Sequence, residues 1–311
     1  MRVANVRRVT TTMVTAVVLG CLPLWSGAGA TAAPPAAAAT HDAGPASPAV
    51  RRIVLQGAVN VRDLGGYRTG QGRQVRYGQV FRADSLGELT DADLAKLSAL
   101  RLRTVVDFRV PSEVRGDGAD RLPAGPAAVS RPVNDLGLYA KVTEAIGTAD
   151  PAAQRGLLGD GKAARLMRDI YRTFVTDPAT RRQFGATLRD LTRRGPSPLL
   201  YHCTSGKDRT GWMSYVLLRA VGIPAGAAER DYLLSNRYRA DADRATREGL
   251  RKAGLMQNPD LLLPVQEVRR EYLEAALAQV ERDYGGFHRY LTEGLGLDTS
   301  TLARLRARLL R

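Results

Sequence analysis

Short apolar segments separated by stretches of helical periodicity predict an α/β protein. Its core is a mostly parallel central sheet flanked by helices, and a helical C-terminal extension is placed to cover the functional site. Three observations carry this. Strand-like runs recur at wide intervals, with room for a helix between them. The run TVVDF is apolar and β-branched without polar alternation, as in a strand buried on both faces. Beyond residue 225 the pattern is almost wholly helical.

The first strand-like segment is RIVLQGAVNVRDLG, residues 52–65. GQVFRA (78–83) follows a glycine-rich turn, and RTVVDFR (103–109), AAVSRPV (127–133) and SPLLYHC (197–203) complete the set. Among the helices, TDADLAKLSALR (90–101) has Thr90 as N-cap and acids in its first turn, with Leu94, Leu97 and Leu100 on one side. AARLMRDIYRTFV (163–175), PATRRQFGATLRDLTRR (178–194) and TGWMSYVLLRAVG (210–222) continue the helical pattern. Residues 237–260 are strongly charged with a thin apolar stripe, the pattern of a mobile helical cover. No internal repeat interrupts this order.

The first 50 residues stand apart from that domain. Arg2, Arg7 and Arg8 form a basic start, Met13 to Trp25 is apolar, and SGAGATAA supplies small residues at 26–33. That order reads as a secretory signal peptide, residues 1–33, and the run is short for a membrane span. VLGC ending at Cys21 resembles a lipoprotein box, but the apolar LPLW after it does not fit one. Residues 34–50 are Pro/Ala-rich and read as a linker, which leaves 51–311 as one domain. The expected location is therefore outside the cell. The formal net charge is +15; without residues 1–33, which hold three arginines and no acid, it is +12. Such a surface attracts phosphorylated molecules and anionic membrane surfaces. Aromatics at 6% and the lack of a recognition motif argue against nucleic acid.

The chemistry concentrates in LLYHCTSGKDRTGWM, residues 199–213. Of three histidines, His41, His202 and His288, none sits in metal-ligand spacing, and no nucleophile elbow or nucleotide-binding glycine loop is present. With Cys21 removed, Cys203 is a lone thiol at the end of a buried strand, followed by five residues, Arg209 and a helix. A helix N-terminus behind a tight loop offers unpaired N–H groups to an oxyanion, and Gly206 lets the backbone turn close to it. Arg209 can grip two phosphate oxygens, and the same field favours the nucleophilic thiolate of Cys203.

HCTSGKDRTG matches H-C-x5-R-[ST], the signature of the cysteine-dependent tyrosine phosphatase superfamily. Together with GAVNVRDLGGY (57–67), QVFRADSL (79–86), DYLLSN (231–236) and YGGFHRYLTEGLGL (284–297), it resembles the secreted bacterial tyrosine/lipid phosphatase family over nearly the whole domain. The resemblance implies Cys203 as nucleophile, Arg209 as phosphoryl ligand, and Thr204, Ser205, Gly206, Lys207 and Asp208 as the loop whose N–H groups line the phosphate. Thr210 then resembles the hydroxyl that stabilises the leaving thiolate, while His202 orients the loop. No W-P-D tripeptide supplies a general acid, so relatives point to Asp208; Asp107, at a strand end near the same rim, stays open as acid or substrate contact. Its bland alternative is an ion pair with Arg109 or Arg62. Lys207 resembles phosphatases that accept phosphoinositides, and Asp63 and Arg62 are expected to fix a supporting loop.

The expectation is a monomeric phosphomonoesterase without metal or cofactor. It would act on phosphorylated protein, phosphotyrosine first, with phosphoserine, phosphothreonine and phosphoinositides as further substrates. The rival readings are an idle phosphate-binding module and a sulfur transferase with a similar cysteine loop.

Overall fold

A computed structural model describes residues 51–311, so the signal-peptide and linker expectations lie outside the described residues. Among the described residues, six strands form one sheet in the order β1-β2-β3-β6-β4-β5. They are β1 (Arg51–Arg52), β2 (Arg62–Asp63), β3 (Val80–Ala83), β4 (Thr104–Asp107), β5 (Ala127–Ser130) and β6 (Leu199–His202). The β3, β6, β4 and β5 strands run parallel, and β1 and β2 join antiparallel at one edge. The segment predicted as one long opening strand, 52–65, is mostly loop between two two-residue strands. Side chains take over its backbone partners: Asp93 accepts from the N–H groups of Gln56 and Gly57, and Asp84 from those of Val59 and Asn60.

The three inner parallel strands, β3, β4 and β6, feed both faces, while β5 is a largely exposed edge. Phe81, Val105 and Leu200 pack on one side with Leu86, Leu97 and Leu102. Val80, Val106 and Tyr201 point to the other side and join the larger core around Phe174, Trp212 and Tyr272.

The helices covering the sheet are α1 (Asp91–Ala99), α2 (Pro111–Asp117), α3 (Leu138–Gly147), α4 (Pro151–Leu158), α5 (Lys162–Thr176), α6 (Pro178–Asp190) and α7 (Arg209–Ala220). Thr90 caps α1 as expected, in a reciprocal box with Asp93. In α5, Met167, Ile170, Tyr171 and Phe174 are buried at helical spacing. Nearly every residue of α7 is buried, since it lies between the sheet and the C-terminal helices.

The chain from 225 onward is helical, as predicted: α8 (Ala225–Lys252), a short 3-10 turn (Pro259–Leu262) leading into α9 (Leu263–Gln266), α10 (Arg270–Tyr284), α11 (Phe287–Arg289) and α12 (Thr299–Leu309). The charged stretch at 237 continues α8 without a break to Lys252. Its apolar stripe has a partner, because Leu250, Met256 and Leu262 form a third cluster with Val142, Ile146 and Leu158 of the 138–158 helical pair.

Candidate active site

Cys203 leaves β6 at the carboxyl edge of the parallel strands, where α/β sheets bind their ligands. Thr204 to Asp208 form the loop, and α7 begins at Arg209. Gly206 takes φ +62°, and a Cβ there would come within 2.3 Å of the Ala83 carbonyl oxygen. Glycine is therefore required twice over, by conformation and by space.

The loop is held by its carbonyls. Ser85 N–H donates to the Thr204 carbonyl at 2.9 Å. Asn60 Nδ2 donates to the Ser205 and Gly206 carbonyls at 3.2 and 3.0 Å, and Arg82 Nη2 to Gly206 at 2.7 Å. Arg239, from α8, donates to the Ser205 carbonyl at 3.3 Å. In a trans peptide the following N–H points opposite to the carbonyl. The N–H groups of Ser205, Gly206 and Lys207 consequently face away from these donors, as anion-binding amides must.

Behind that grip lies a buried charge network. Arg62 donates to Asn60 Oδ1 at 2.5 Å and to Asp231 Oδ1 at 3.1 Å, while Arg82 Nη1 meets Asp231 Oδ2 at 2.7 Å. Arg62, Arg82 and Asp231 have no exposed side-chain surface. Burial works against the Asp231 carboxylate, but the two guanidiniums outweigh it and hold its pKa below the usual range. Asp63 plays a different part, accepting from the N–H groups of Gly65 and Gly78.

Arg209 is aimed by Glu113, the third residue of α2. Its fork meets both carboxylate oxygens, with Nη1 to Oε2 at 2.6 Å, and Nη1 also donates to the Phe108 carbonyl at 3.2 Å. Glu113 further accepts from Thr204 Oγ1 at 2.6 Å and from the Val110 N–H that opens α2. Burial alone would lower the Arg209 guanidinium, yet Glu113 raises it well above its ordinary value. The arginine is thus permanently charged and fixed in orientation.

A cavity with about 760 Å³ of open space lies over the loop. Cys203, Thr204, Ser205, Asp208 and Arg209 line its polar floor. Leu138, Tyr139 and Val142 of α3 and Met167, Ile170 and Phe174 of α5 form apolar walls, and Leu262 and Val265 close it from the C-terminal side. Arg239 and Asp243 bring α8 to its edge, so the expected helical cover does border the site.

The remaining predicted site residues sit elsewhere. Gly206 and Thr210 lie behind the lining; Thr210 is buried and its hydroxyl has no hydrogen-bond partner among the described residues. Lys207 is also outside the lining and 1% exposed, with Nζ 2.7 Å from Asp208 Oδ2 and 3.4 Å from the Glu267 carbonyl. Asp107 does not reach the cavity, because Arg109 binds its carboxylate at 2.9 Å in the ion pair considered from the sequence. Arg109 also holds Asp120 at 2.6 Å, and Asp120 holds the buried His202 at 2.8 Å. Burial would lower the His202 pKa, but Asp120 raises it. Asp107, Asp120 and His202 are ligand types within reach of one cation, and the Arg109 guanidinium is already that cation.

Several contributors outside the loop were not anticipated, Asn60 and Arg239 among them. Glu113 had only the helix-start pattern Val-Pro-Ser-Glu to announce it, and Arg82 and Asp231 lay unremarked inside the family-like QVFRADSL and DYLLSN segments.

A family model described as tyrosine phosphatase family matches residues 53–311. A Cupriavidus necator protein provisionally named a tyrosine-protein phosphatase is 32% identical over 246 residues, covering 78% of this chain and 84% of that one. The triple specificity protein phosphatase PtpB of Mycobacterium tuberculosis is 31% identical over 291 residues, 82% of this chain and 98% of PtpB. A solved structure of P. aeruginosa TpbA with phosphotyrosine matches 67% of this chain and 90% of that chain at 17% identity, with a TM-score of only 0.23.

Proposed function

The chain belongs to the tyrosine phosphatase family, and from this premise we propose that Cys203 hydrolyses phosphomonoesters through a phosphocysteine intermediate. The observation that carries the reading is the loop's geometry: carbonyls tied from behind, and Arg209 locked by Glu113 beside the thiol. Thiolate Sγ attacks phosphorus as the ester P–O bond breaks, with Arg209 and the loop amides holding the three non-bridging oxygens. Asp208 lines the cavity and Asp107 does not, which supports Asp208 as the acid that protonates the leaving oxygen. In the second half, water attacks phosphorus, Asp208 takes its proton, and phosphate leaves Sγ. Thr210, with its free buried hydroxyl, is assigned to the departing thiolate. Thiol, amides, arginine and carboxyl complete this chemistry without a cofactor.

Apolar walls above a polar floor favour an aromatic stem, so phosphotyrosine is the first substrate. A second reading takes phosphoserine, phosphothreonine and phosphoinositides as well. It is favoured by the relative named for triple specificity. Lys207 gives the lipid reading little support, since its ammonium is spent on Asp208.

The test is Cys203→Ser, expected to abolish turnover of phosphotyrosine and p-nitrophenyl phosphate while vanadate still binds. Retained turnover overturns the nucleophile assignment. A wild-type enzyme without turnover leaves an idle binding module, and sulfite release from thiosulfate, with the outer sulfur left on Cys203 as a persulfide, turns the reading to sulfur transfer.

Export is proposed on the pattern of residues 1–33, with mass spectrometry of the culture medium as its check. The +12 balance suits peripheral contact with an anionic membrane surface, and a single-domain monomer is the simplest assembly.

A further inference from the structure

The acid of the reaction has two donors of its own. Asp208 Oδ2 faces Lys207 Nζ at 2.7 Å, and Asp208 Oδ1 accepts from the Tyr171 hydroxyl at 3.0 Å. Tyr171 in turn lies 2.8 Å from the Tyr232 hydroxyl, and Tyr232 Oη reaches the Arg269 carbonyl at 3.3 Å. A phenol has one proton to give. Tyr232 likewise has one proton; with Tyr171 donating to Asp208, the 2.8 Å contact takes the Tyr232 proton in place of the longer 3.3 Å contact to the Arg269 carbonyl, and a hydrogen-bond chain runs Tyr232 to Tyr171 to Asp208.

We propose that Tyr171, supported by Tyr232, is a positioning residue for the leaving-group acid: it fixes the Asp208 carboxyl over the cavity floor and steadies the carboxylate once the proton has gone. This rests on Asp208 being the acid. No proton leaves Tyr171 at any step. The Asp208 proton moves to the ester oxygen as P–O breaks, and returns from water as P–S breaks. Burial, with the Asp208 charge beside it, holds the Tyr171 phenol well above its ordinary pKa, so it stays a donor throughout.

The placement explains why this residue sits on α5. Met167, Ile170 and Phe174 of the same helix face the cavity where the leaving group must lie. One helix thus sets both the substrate's stem and the group that protonates it. Elsewhere the Tyr171 ring is packed against Phe174, Tyr232 and Tyr272, so removing its hydroxyl leaves the packing in place.

The experiment compares kcat across aryl phosphates, from phenyl phosphate to dinitrophenyl phosphate, for the mature enzyme and its variants. Tyr171→Phe is expected to lose about 10-fold or more on phenyl phosphate and under about 3-fold on dinitrophenyl phosphate, with KM little changed. Tyr232→Phe should show the same slope more weakly, and it answers the question if Tyr171→Phe does not fold. Added to Asp208→Asn, Tyr171→Phe should cost nothing further on either ester. An equal loss across the series, or none, overturns the role of Tyr171. The Asp208→Asn series separates the two failures. If it too is flat, the acid assignment is wrong; if it is steep while the tyrosine variants are flat, Tyr171 alone is excluded.

Discussion

The phosphate loop is gripped from behind by charge and faced from the front by hydrocarbon. At the back, Asn60, Arg62, Arg82 and Asp231 form a fully buried network in which carbonyls, carboxylate and guanidiniums meet. At the front, α3, α5 and the 259–266 segment present a wall of aliphatic and aromatic side chains around open space. The two regions do different physical work. Buried hydrogen bonds are directional and costly to leave unmade, so the back can dictate amide orientation. Apolar contacts are non-directional and scale with area, so the front can accept a stem but cannot orient a loop.

Removing Asp231 should do the most damage. Asp231→Ala strands two buried guanidiniums, a change that costs about 3–5 kcal/mol. Thermal unfolding should show it as a drop on the order of 10 °C for a domain this size. A loss under about 1 kcal/mol would mean the network is not the stabilising frame described. Asn60→Ala comes next. The Ser205 and Gly206 carbonyls keep Arg239 and Arg82 as partners, so stability should fall by only about 1–3 kcal/mol. Loosened amides should lower kcat for phosphotyrosine by about 10- to 100-fold. Stopped-flow or steady-state assays read this directly, and an unchanged kcat would show the loop holds itself.

The two regions were also unequally legible in the sequence. The loop with Cys203 and Arg209, four of the strands and the α1, α5, α6 and α7 helices could be read, because each follows from local pattern. Helices α2 to α4, which contribute Glu113 and one cavity wall, were not read. They are short, and α3 starts behind Gly137 in a left-handed conformation without a side-chain cap. Lys207 shows the sharper limit. Its position in the loop suggested a substrate contact, but which side a side chain takes depends on partners distant in sequence, here the Glu267 carbonyl. Lys207→Ala should accordingly reduce turnover of phosphotyrosine and phosphoinositide by similar factors. A loss confined to the lipid would restore the reading the sequence suggested.

One pair ties the front wall to the helix that aims Arg209. Tyr139, in the front wall, donates to Asp117 at 3.0 Å, at the end of the helix that bears Glu113. Burial raises the Asp117 pKa from 3.8 to about 7. The folded protein therefore binds a proton that the unfolded chain releases above pH 3.8, and stability is lost as pH climbs toward 7. Asp117→Asn keeps the acceptor for Tyr139 and cannot ionise. It should match wild type near pH 4 and exceed it at pH 7.5, by on the order of 1 kcal/mol once the surroundings relax around the charge. Denaturant melts at the two pH values check the sign; a larger gain at low pH would reverse the argument.

The smallest change tests the front wall itself. Ile170 is buried in α5 and lines the cavity beside Met167 and Phe174. Ile170→Val removes one methylene, about 0.8 kcal/mol of contact if the substrate's ring packs on it. Such contact is the same in ground and transition states, so KM should rise up to about fourfold with kcat unchanged. Asn60→Ala predicts the opposite split, with kcat falling while the apolar wall still holds the stem. If Ile170→Val lowers kcat instead, the wall takes part in aligning the ester with Cys203, and the division between an orienting back and an accommodating front fails.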